Sequence, residues 1–266
     1  MIDLLVILAL LYVLSLYGRR EHAGLKDLRG WKYAHRGLHG DGVPENSMAA
    51  FRAALDNGYG IELDIHLLKD GNLAVMHDSL LNRTTAEAGH IEDLTTEQLK
   101  DYRLEGTEET IPEFMDVLTL FNGKAPLIVE LKSENGNHAQ LAEAACRMLE
   151  SYPGVYCIES FDPRCVAWLR KNRPEIIRGQ LTENFTRSRN DLPFWLQFGL
   201  THNMLNFLSA PDFVAYKFVD RNSTISNAIC RKLWGIQGVS WTLRSQEEFD
   251  TAVNEGWIPI FEGFRP

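Results

Sequence analysis

Residues 60–66 read GIELDIH, and apolar and polar residues alternate along this segment. Side chains in a β-strand point alternately to opposite faces, so the three apolar residues share one face and Glu62 and Asp64 share the other. Two acids facing the inside of a sheet are costly unless something positive neutralises them. An exposed edge strand is the alternative, but the flanking β-branched residues favour a buried parallel strand and a cation site.

Short β-rich runs recur along the chain and are followed by helical patterns. The predicted strands are 32–36, 60–66, 73–77, 126–132, 154–161, 176–181, 213–216, 238–243 and 258–261. Helical spacing of apolar residues occurs at 47–57, 138–151, 162–172, 223–233 and 245–254. Alternation of this kind indicates a parallel sheet, and about eight such units indicate a closed barrel. The predicted fold class is therefore α/β, a (β/α)₈ TIM barrel.

Length and composition are consistent with one such domain. The chain has 266 residues, of which 45% are hydrophobic, enough to bury one substantial core. We expect the barrel to occupy 21–266. The polar, turn-rich interval at about 78–120 interrupts the strand and helix rhythm, so we interpret it as an insertion after an early strand, beside the active face.

The amino terminus differs from the rest, because 4–17 reads LLVILALLYVLSLY. We expect 1–20 to form a membrane anchor, although the apolar run is shorter than the ~20 residues that span a bilayer. A signal peptide fits poorly because positive charges follow the run rather than precede it. By the positive-inside bias, the same charges predict a cytoplasmic catalytic domain. A buried helix is the alternative, and the aromatic segment 193–209 is either a helix on the barrel or a helix at the membrane interface.

Charge and cysteine usage exclude several function classes. The net charge of -9 argues against a nucleic-acid partner, since phosphate backbones are bound by basic surfaces. An anionic small substrate is compatible with this charge if a bound cation reverses the local field. The four cysteines have no C-x-x-C spacing, which argues against a zinc ribbon or a redox dithiol.

A later strand repeats the pattern of inward-facing charges. In Val129-Glu130-Leu131-Lys132, the two apolar residues face outward, and Glu130 and Lys132 face inward. Three convergent carboxylates without a cysteine suit a hard divalent ion, Mg²⁺ or Ca²⁺, better than zinc. Lys132 either holds a phosphate oxygen or forms a salt bridge to Glu130.

Two predicted strands end in histidine, in Ala34-His35-Arg36-Gly37 and Val75-Met76-His77-Asp78. The carboxyl edge of a parallel sheet is where such folds keep their sites. His35 and His77 could supply a general base and a general acid near neutral pH. Asn46 has a simpler interpretation, as the N-cap of the helix that follows it.

These pieces in their order, HRG, PENS, ELD, KDG, HD, NRTT, IP and VELK, closely resemble the glycerophosphodiester phosphodiesterase family. The resemblance extends from about Tyr33 to the end and implies a (β/α)₈ barrel with an insertion after an early strand. Ser160-Phe161 and Val239-Ser240-Trp241-Thr242 are similar to late motifs of the family. One departure is Phe261-Glu262-Gly263-Phe264-Arg265-Pro266, where many relatives have a Thr-Asp-x-Pro-like segment; it puts the local shape in doubt rather than the chemistry.

The resemblance implies roles for particular residues of this chain. The implied roles are acid and base for His35 and His77, ligands of one divalent ion for Glu62, Asp64 and Glu130, and substrate contacts for Arg36, Asn46, Lys132, Phe161 and Trp241. Within the substrate contacts, Arg36 and Lys132 would grip phosphate, and Trp241 would form an apolar wall near glycerol.

The implied reaction is hydrolysis of a glycerophosphodiester to glycerol 3-phosphate and an alcohol. Attack by the neighbouring glycerol hydroxyl would form a cyclic phosphate that water then opens. One alternative keeps the site but acts at a membrane on lysophospholipids or other lipid headgroups. A second alternative is a catalytically silent barrel that binds a phosphate ligand, which would need no matched acid and base.

Overall fold

The structure is a computed structural model that describes residues 2–188 and 190–266. The strands are β1 Tyr33–His35, β2 Gly60–Leu67, β3 Leu73–Val75, β4 Leu127–Leu131, β5 Tyr156–Ser160, β6 Arg178–Thr182, β7 Phe213–Lys217, β8 Gln237–Leu243 and β9 Trp257–Phe261. The α-helices are α1 Ile2–Ser15, α2 Leu25–Leu28, α3 Met48–Asp56, α4 Asn82–Thr85, α5 Phe114–Phe121, α6 His138–Leu149, α7 Pro163–Asn172, α8 Phe194–Thr201, α9 Asn206–Ser209, α10 Ile225–Ala228 and α11 Gln246–Asn254.

Eight strands form a closed parallel barrel, which confirms the predicted fold class. Their spatial order is β1, β9, β8, β7, β6, β5, β4, β2, and pairing of β1 with β2 closes the ring. The ninth strand, β3, is antiparallel to β2 and lies outside the ring. The predicted strand at 73–77 therefore forms a hairpin with β2 and is not one of the barrel strands. His77 lies in the loop after β3.

The alternation predicted for β2 is present in the packing. Ile61, Leu63 and Ile65 are fully buried in the large apolar cluster between the strands and the surrounding helices. A second apolar cluster, which includes Tyr33, Ile128 and Phe213, fills the interior of the barrel. The polar residues at the carboxyl ends of the strands lie above this apolar filling. Burial of both faces explains the aliphatic residues of strands such as β4 and β9.

The segment after β3 has a small core of its own. Leu81, Ile91, Leu99 and Leu104 are buried there with a few neighbours from the β2–β3 hairpin. Short 3₁₀ turns at Ile91–Asp93 and Thr96–Asp101 carry Ile91 and Leu99. The following helix α5 packs instead in the large outer cluster. The segment is thus a compact unit beside the end of the barrel at which β2 terminates.

The predicted membrane anchor at 1–20 is wrong. Among the helices that the structure describes, none is both long enough and apolar enough to cross a bilayer. The helix α1 has 14 residues, which at 1.5 Å per residue is about 21 Å, against about 30 Å of hydrocarbon. Its end packs on the barrel, where Leu16 is fully buried and the Trp234 indole donates a 2.9 Å hydrogen bond to the Val13 carbonyl. The predicted membrane-anchored location and the predicted membrane partner depended on this anchor and are therefore not supported either.

Candidate active site

The turn after β1 places a guanidinium and a backbone donor at the mouth of the barrel. Arg36 and Gly37 both have positive φ, 55° and 81°. A Cβ on Gly37 would lie 2.9 Å from the backbone of Ala50, so this position requires glycine for both conformation and space. The turn directs the Arg36 amide toward Glu62, whose Oε2 accepts a hydrogen bond at 3.2 Å.

Three buried carboxylates converge beside this turn. Glu62, Asp64 and Glu130 are each no more than 5% exposed, and one oxygen from each lies within 4.8 Å of the others. This set of oxygen donors, without sulfur or imidazole, fits a hard divalent cation. Within the described part of the chain, Asp64 Oδ1 accepts no hydrogen bond of regular geometry, although the Lys132 ammonium group lies 3.0 Å from it. The structure thus brings together the three predicted metal ligands.

Lys132 supplies positive charge to the same group. Its Nζ lies 2.8 Å from Glu130 Oε1 and 3.0 Å from Asp64 Oδ1, so the salt bridge considered from the sequence is present. Burial tends to raise the pKa of Asp64, but Lys132, His77 and Arg36 outweigh it and hold this pKa well below its ordinary value. Asp64 is therefore the most acidic of the three carboxyl groups.

The pKa values of the other two carboxyl groups are raised rather than lowered. Burial, reinforced by Asp64 and Glu130, raises the pKa of Glu62 well above its ordinary value. Burial also raises the pKa of Glu130 to about 7, with Lys132 opposing the shift. Three negative charges are not stable together in this space, and an added divalent cation would favour their ionised forms.

His35 is held by a carboxylate from the other end of the chain. Its Nδ1 lies 2.5 Å from Glu262 Oε2, and its Nε2 lies 3.8 Å from Glu62 Oε2. Arg244 in turn donates to Glu262 Oε1 at 2.9 Å. Burial lowers the pKa of His35, and the Glu262 hydrogen bond offsets part of that shift. The ring is fixed with Nε2 facing the carboxylates.

His77 has a comparable support on the opposite side. Its Nδ1 is 2.6 Å from Asp78 Oδ1, and Arg83 pairs with both Asp78 and Glu45. Glu45 also accepts a 2.9 Å hydrogen bond from the Arg36 guanidinium. Burial lowers the pKa of His77, and Asp64 partly opposes this. Charged pairs thus connect both histidine loops and the insertion.

An apolar wall completes the pocket. A cavity of about 30 Å³ lies between the polar group and this wall; its lining includes His35, His77, Glu159, Phe161 and Trp241. The Phe161 and Trp241 rings meet edge to face with centroids 5.6 Å apart. The two predicted apolar substrate contacts therefore lie side by side, opposite the charged groups.

Asn46 has a different role from the helix cap considered above. The N-cap of α3 is Ser47, whose hydroxyl accepts the Ala50 amide at 3.1 Å. Asn46 is 3% exposed and donates to Asp64 Oδ2 at 2.8 Å. Its amide therefore orients a predicted metal ligand, and the capping interpretation is wrong.

Three carboxylates of the site were missed from the sequence. Glu262 and Glu45 support His35 and Arg36, and Glu159 lies fully buried on β5. Burial, with Glu130 and Asp64 nearby, raises the pKa of Glu159 well above its ordinary value. A weak signal for Glu159 was present, because the preceding residue Ile158 packs in the outer apolar cluster and Glu159, one position later on β5, faces the barrel interior, as the acids of β2 do.

The described geometry agrees with a family comparison. The model of the glycerophosphoryl diester phosphodiesterase family matches residues 35–262, which include every predicted site residue. This match confirms the resemblance stated from the motifs. The family depends on divalent metal, in agreement with the acidic group.

Individual relatives agree with the family match. A glycerophosphodiester phosphodiesterase of Bacillus altitudinis is 37% identical over 161 residues, 56% of this chain and 65% of that protein, so the match spans less than two thirds of its length. Human glycerophosphodiester phosphodiesterase 1 is 30% identical over 248 residues, 81% of this chain and 72% of that protein.

Solved structures show the same fold. A phosphodiesterase from Oleispira antarctica, in complex with the product sn-glycerol-3-phosphate, has a TM-score of 0.73 at 22% identity, covering 92% of this chain and 95% of that one. A glycerophosphodiester phosphodiesterase from Thermotoga maritima has a TM-score of 0.67 at 21% identity, covering 87% and 93%. Barrel, acidic group and family match lead to one conclusion: the chain belongs to the glycerophosphoryl diester phosphodiesterase family.

Proposed function

We propose that this chain hydrolyses glycerophosphodiesters to glycerol 3-phosphate and an alcohol. The observation that carries the proposal is that two supported histidines line one pocket together with Glu62 and Glu130, two members of the group of three buried carboxylates. A barrel that only binds phosphate needs the cation and Arg36 but no matched pair of imidazoles. The product complex of the Oleispira antarctica relative supports the same substrate class.

In this proposal Glu62, Asp64 and Glu130 hold one divalent cation, Mg²⁺ or Ca²⁺. The ion supplies charge neutralisation for the phosphate when bound. Arg36 and Lys132 lie beside the same carboxylates and would contact the phosphate oxygens. Positioning and neutralisation are the main requirements of phosphoryl transfer, and both come from groups already fixed by ion pairs.

His35 and His77 move the protons. As the neighbouring glycerol hydroxyl attacks phosphorus, one imidazole accepts its proton and the other protonates the departing alcohol oxygen. The product of this step is a cyclic glycerol phosphate. The two imidazoles then exchange roles. One accepts a proton from water as the water attacks the cyclic phosphate, the other protonates the departing glycerol oxygen, and the product is glycerol 3-phosphate.

The test is turnover of glycerophosphoethanolamine by the purified chain, with Mg²⁺, with Ca²⁺ and with chelator. We expect cation-dependent release of glycerol 3-phosphate and no free phosphate. His35→Asn and His77→Asn should lose turnover but still bind glycerol 3-phosphate, whereas His22→Asn, whose ring contacts the Glu175 carbonyl, is the matched control. No turnover by the parent under any ion would refute the proposal and favour a binding barrel. Turnover of a lysophospholipid, measured in parallel, distinguishes a soluble substrate from the lipid alternative.

A further inference from the structure

Glu159 is a buried acid that the reaction above does not use. It is 1% exposed, and among residues 2–188 and 190–266 its Oε2 has no hydrogen-bond partner. An isolated carboxyl group taken out of water costs several kcal/mol unless a partner compensates it. Such a group is retained at a stability cost, which points to a ligand that completes its bonding.

The strand register shows where this acid lies relative to the metal ligands. Asp64 on β2 pairs with Glu130 on β4, and Glu130 pairs with Glu159 on β5. The three carboxylates therefore form one row across adjacent strands, with neighbouring strands about 4.8 Å apart. The group of carboxylates whose oxygens lie within 4.8 Å of one another consists of Glu62, Asp64 and Glu130 and does not include Glu159.

The row continues toward the apolar wall. Next to Glu159 on β6 is Gly179, which carries no side chain, and the cavity at this place is also lined by Phe161, Leu181 and Trp241. Glu159 thus lines the pocket together with these three apolar side chains. A ligand with its phosphate at Arg36 and its carbon chain along the aromatic rings would bring a hydroxyl to this carboxyl group.

We propose that Glu159 accepts a hydrogen bond from the terminal hydroxyl of the glycerol moiety and so selects glycerol phosphodiesters over analogues lacking that hydroxyl. The inference rests on the proposed function for the identity of the substrate. It gives the buried carboxyl group the partner that the protein itself does not provide. A site built to bond a hydroxyl discriminates strongly against a ligand without it, because its polar group is then left unpaired.

The test is a double-mutant cycle between Glu159 and the ligand hydroxyl, read by calorimetry with Mg²⁺ present. The two ligands are glycerol 3-phosphate and 2-hydroxypropyl phosphate, which lacks the terminal hydroxyl. We expect the parent to prefer glycerol 3-phosphate about tenfold, about 1.4 kcal/mol, and Glu159→Met to prefer it less than about twofold. Glu159→Gln keeps an acceptor oxygen and should restore most of the preference.

Stability and cation binding separate this role from two others. Because Glu159→Met removes an unpaired buried carboxyl group, its melting temperature should equal or exceed that of the parent. Ile158→Val, on the outer face of the same strand, is the control and should keep the full ligand preference. A variant that fails to fold would show a structural role and overturn the proposal. A tenfold fall in Mg²⁺ affinity of Glu159→Met would make Glu159 a metal ligand and also overturn it.

The ligand cycle does not depend on turnover. If the parent binds glycerol 3-phosphate with the expected coupling but hydrolyses no diester, the proposed function fails and the role of Glu159 stands. If the parent hydrolyses glycerophosphoethanolamine but the preference for the hydroxyl survives in Glu159→Met, the function stands and this inference fails.

Discussion

Replacing Glu262 by glutamine tests whether the contact between the two ends of the chain matters for chemistry. The carboxylate lies 2.5 Å from His35 Nδ1 and fixes which ring nitrogen faces the pocket. A hydrogen bond to a charged group contributes about 1.5–3 kcal/mol. At about 1.36 kcal/mol per factor of ten, Glu262→Gln should lower kcat by roughly 10- to 150-fold if the contact is made in the transition state.

The pH profile supplies a second readout with a definite sign. The Glu262 hydrogen bond raises the pKa of His35 against the lowering effect of burial. Without that carboxylate the pKa of His35 falls further, so the limb of the kcat profile that His35 controls should move to lower pH. The direction is the same whether His35 acts as acid or base, because both limbs follow the same ionisation.

The assay is kcat for glycerophosphoethanolamine at saturating cation across the pH range, with the melting temperature of each variant. Arg244→Gln removes only the exposed partner of Glu262, and surface pairs are worth about 0–1 kcal/mol, so its kcat should fall less than about fivefold. Glu175→Gln removes a surface pair with Arg173 far from the pocket and serves as the distant control. A kcat for Glu262→Gln within twofold of the parent, or a limb displaced to higher pH, would refute the reasoning.

Three further outcomes are expected. Chelation should lower turnover by on the order of 100-fold, restored by Mg²⁺ or Ca²⁺, and activity that persists in chelator would contradict the assigned carboxylates. Lys132→Met removes the ammonium group that pairs with both Asp64 and Glu130. Urea unfolding of the metal-free variant should therefore show a loss of about 3–5 kcal/mol in the free energy of unfolding. Added Mg²⁺ should partly reverse this loss, and an equal loss with Mg²⁺ would count against a shared site. Gly37→Ala and Gly42→Ala both place alanine at positive φ, which costs about 1 kcal/mol in the free energy of unfolding. Only position 37 is crowded, so Gly37→Ala should lose about 1–3 kcal/mol more in urea unfolding. Equal losses for the two variants would exclude the crowding argument.

Local patterns in the sequence predicted most of the barrel. Period-two alternation identified the inward acids of β2 and β4, because a buried strand must separate apolar from polar side chains onto two faces. The same pattern could not separate β3 from a barrel strand, since antiparallel and parallel strands share one side-chain period. The apolar run before residue 18 predicted a membrane span, but apolar content alone does not report helix length or the burial of Leu16 against the barrel.

The supporting groups of the site were harder to predict. Glu262 and His35 are 227 positions apart, and no local spacing connects them. Closure of the ring brings β9 beside β1, so the residue following β9 reaches the first histidine only once the barrel exists. Glu45 lies in a motif that was recognised, yet its two arginine partners come from different loops. Partner choice of this kind depends on tertiary packing rather than on propensity.

The insertion after β3 has a small apolar core, and two of its side-chain contacts reach residues beside the catalytic face. One joins Arg83 to Glu45, and the other joins Glu92 to His66, whose ring also contacts the His77 carbonyl. We expect that such a segment can be exchanged for another of different length, provided that both contacts and the apolar packing against the β2–β3 hairpin are kept. Chimeras between relatives would therefore inherit the chemistry from the barrel and the shape of the entrance from the inserted segment.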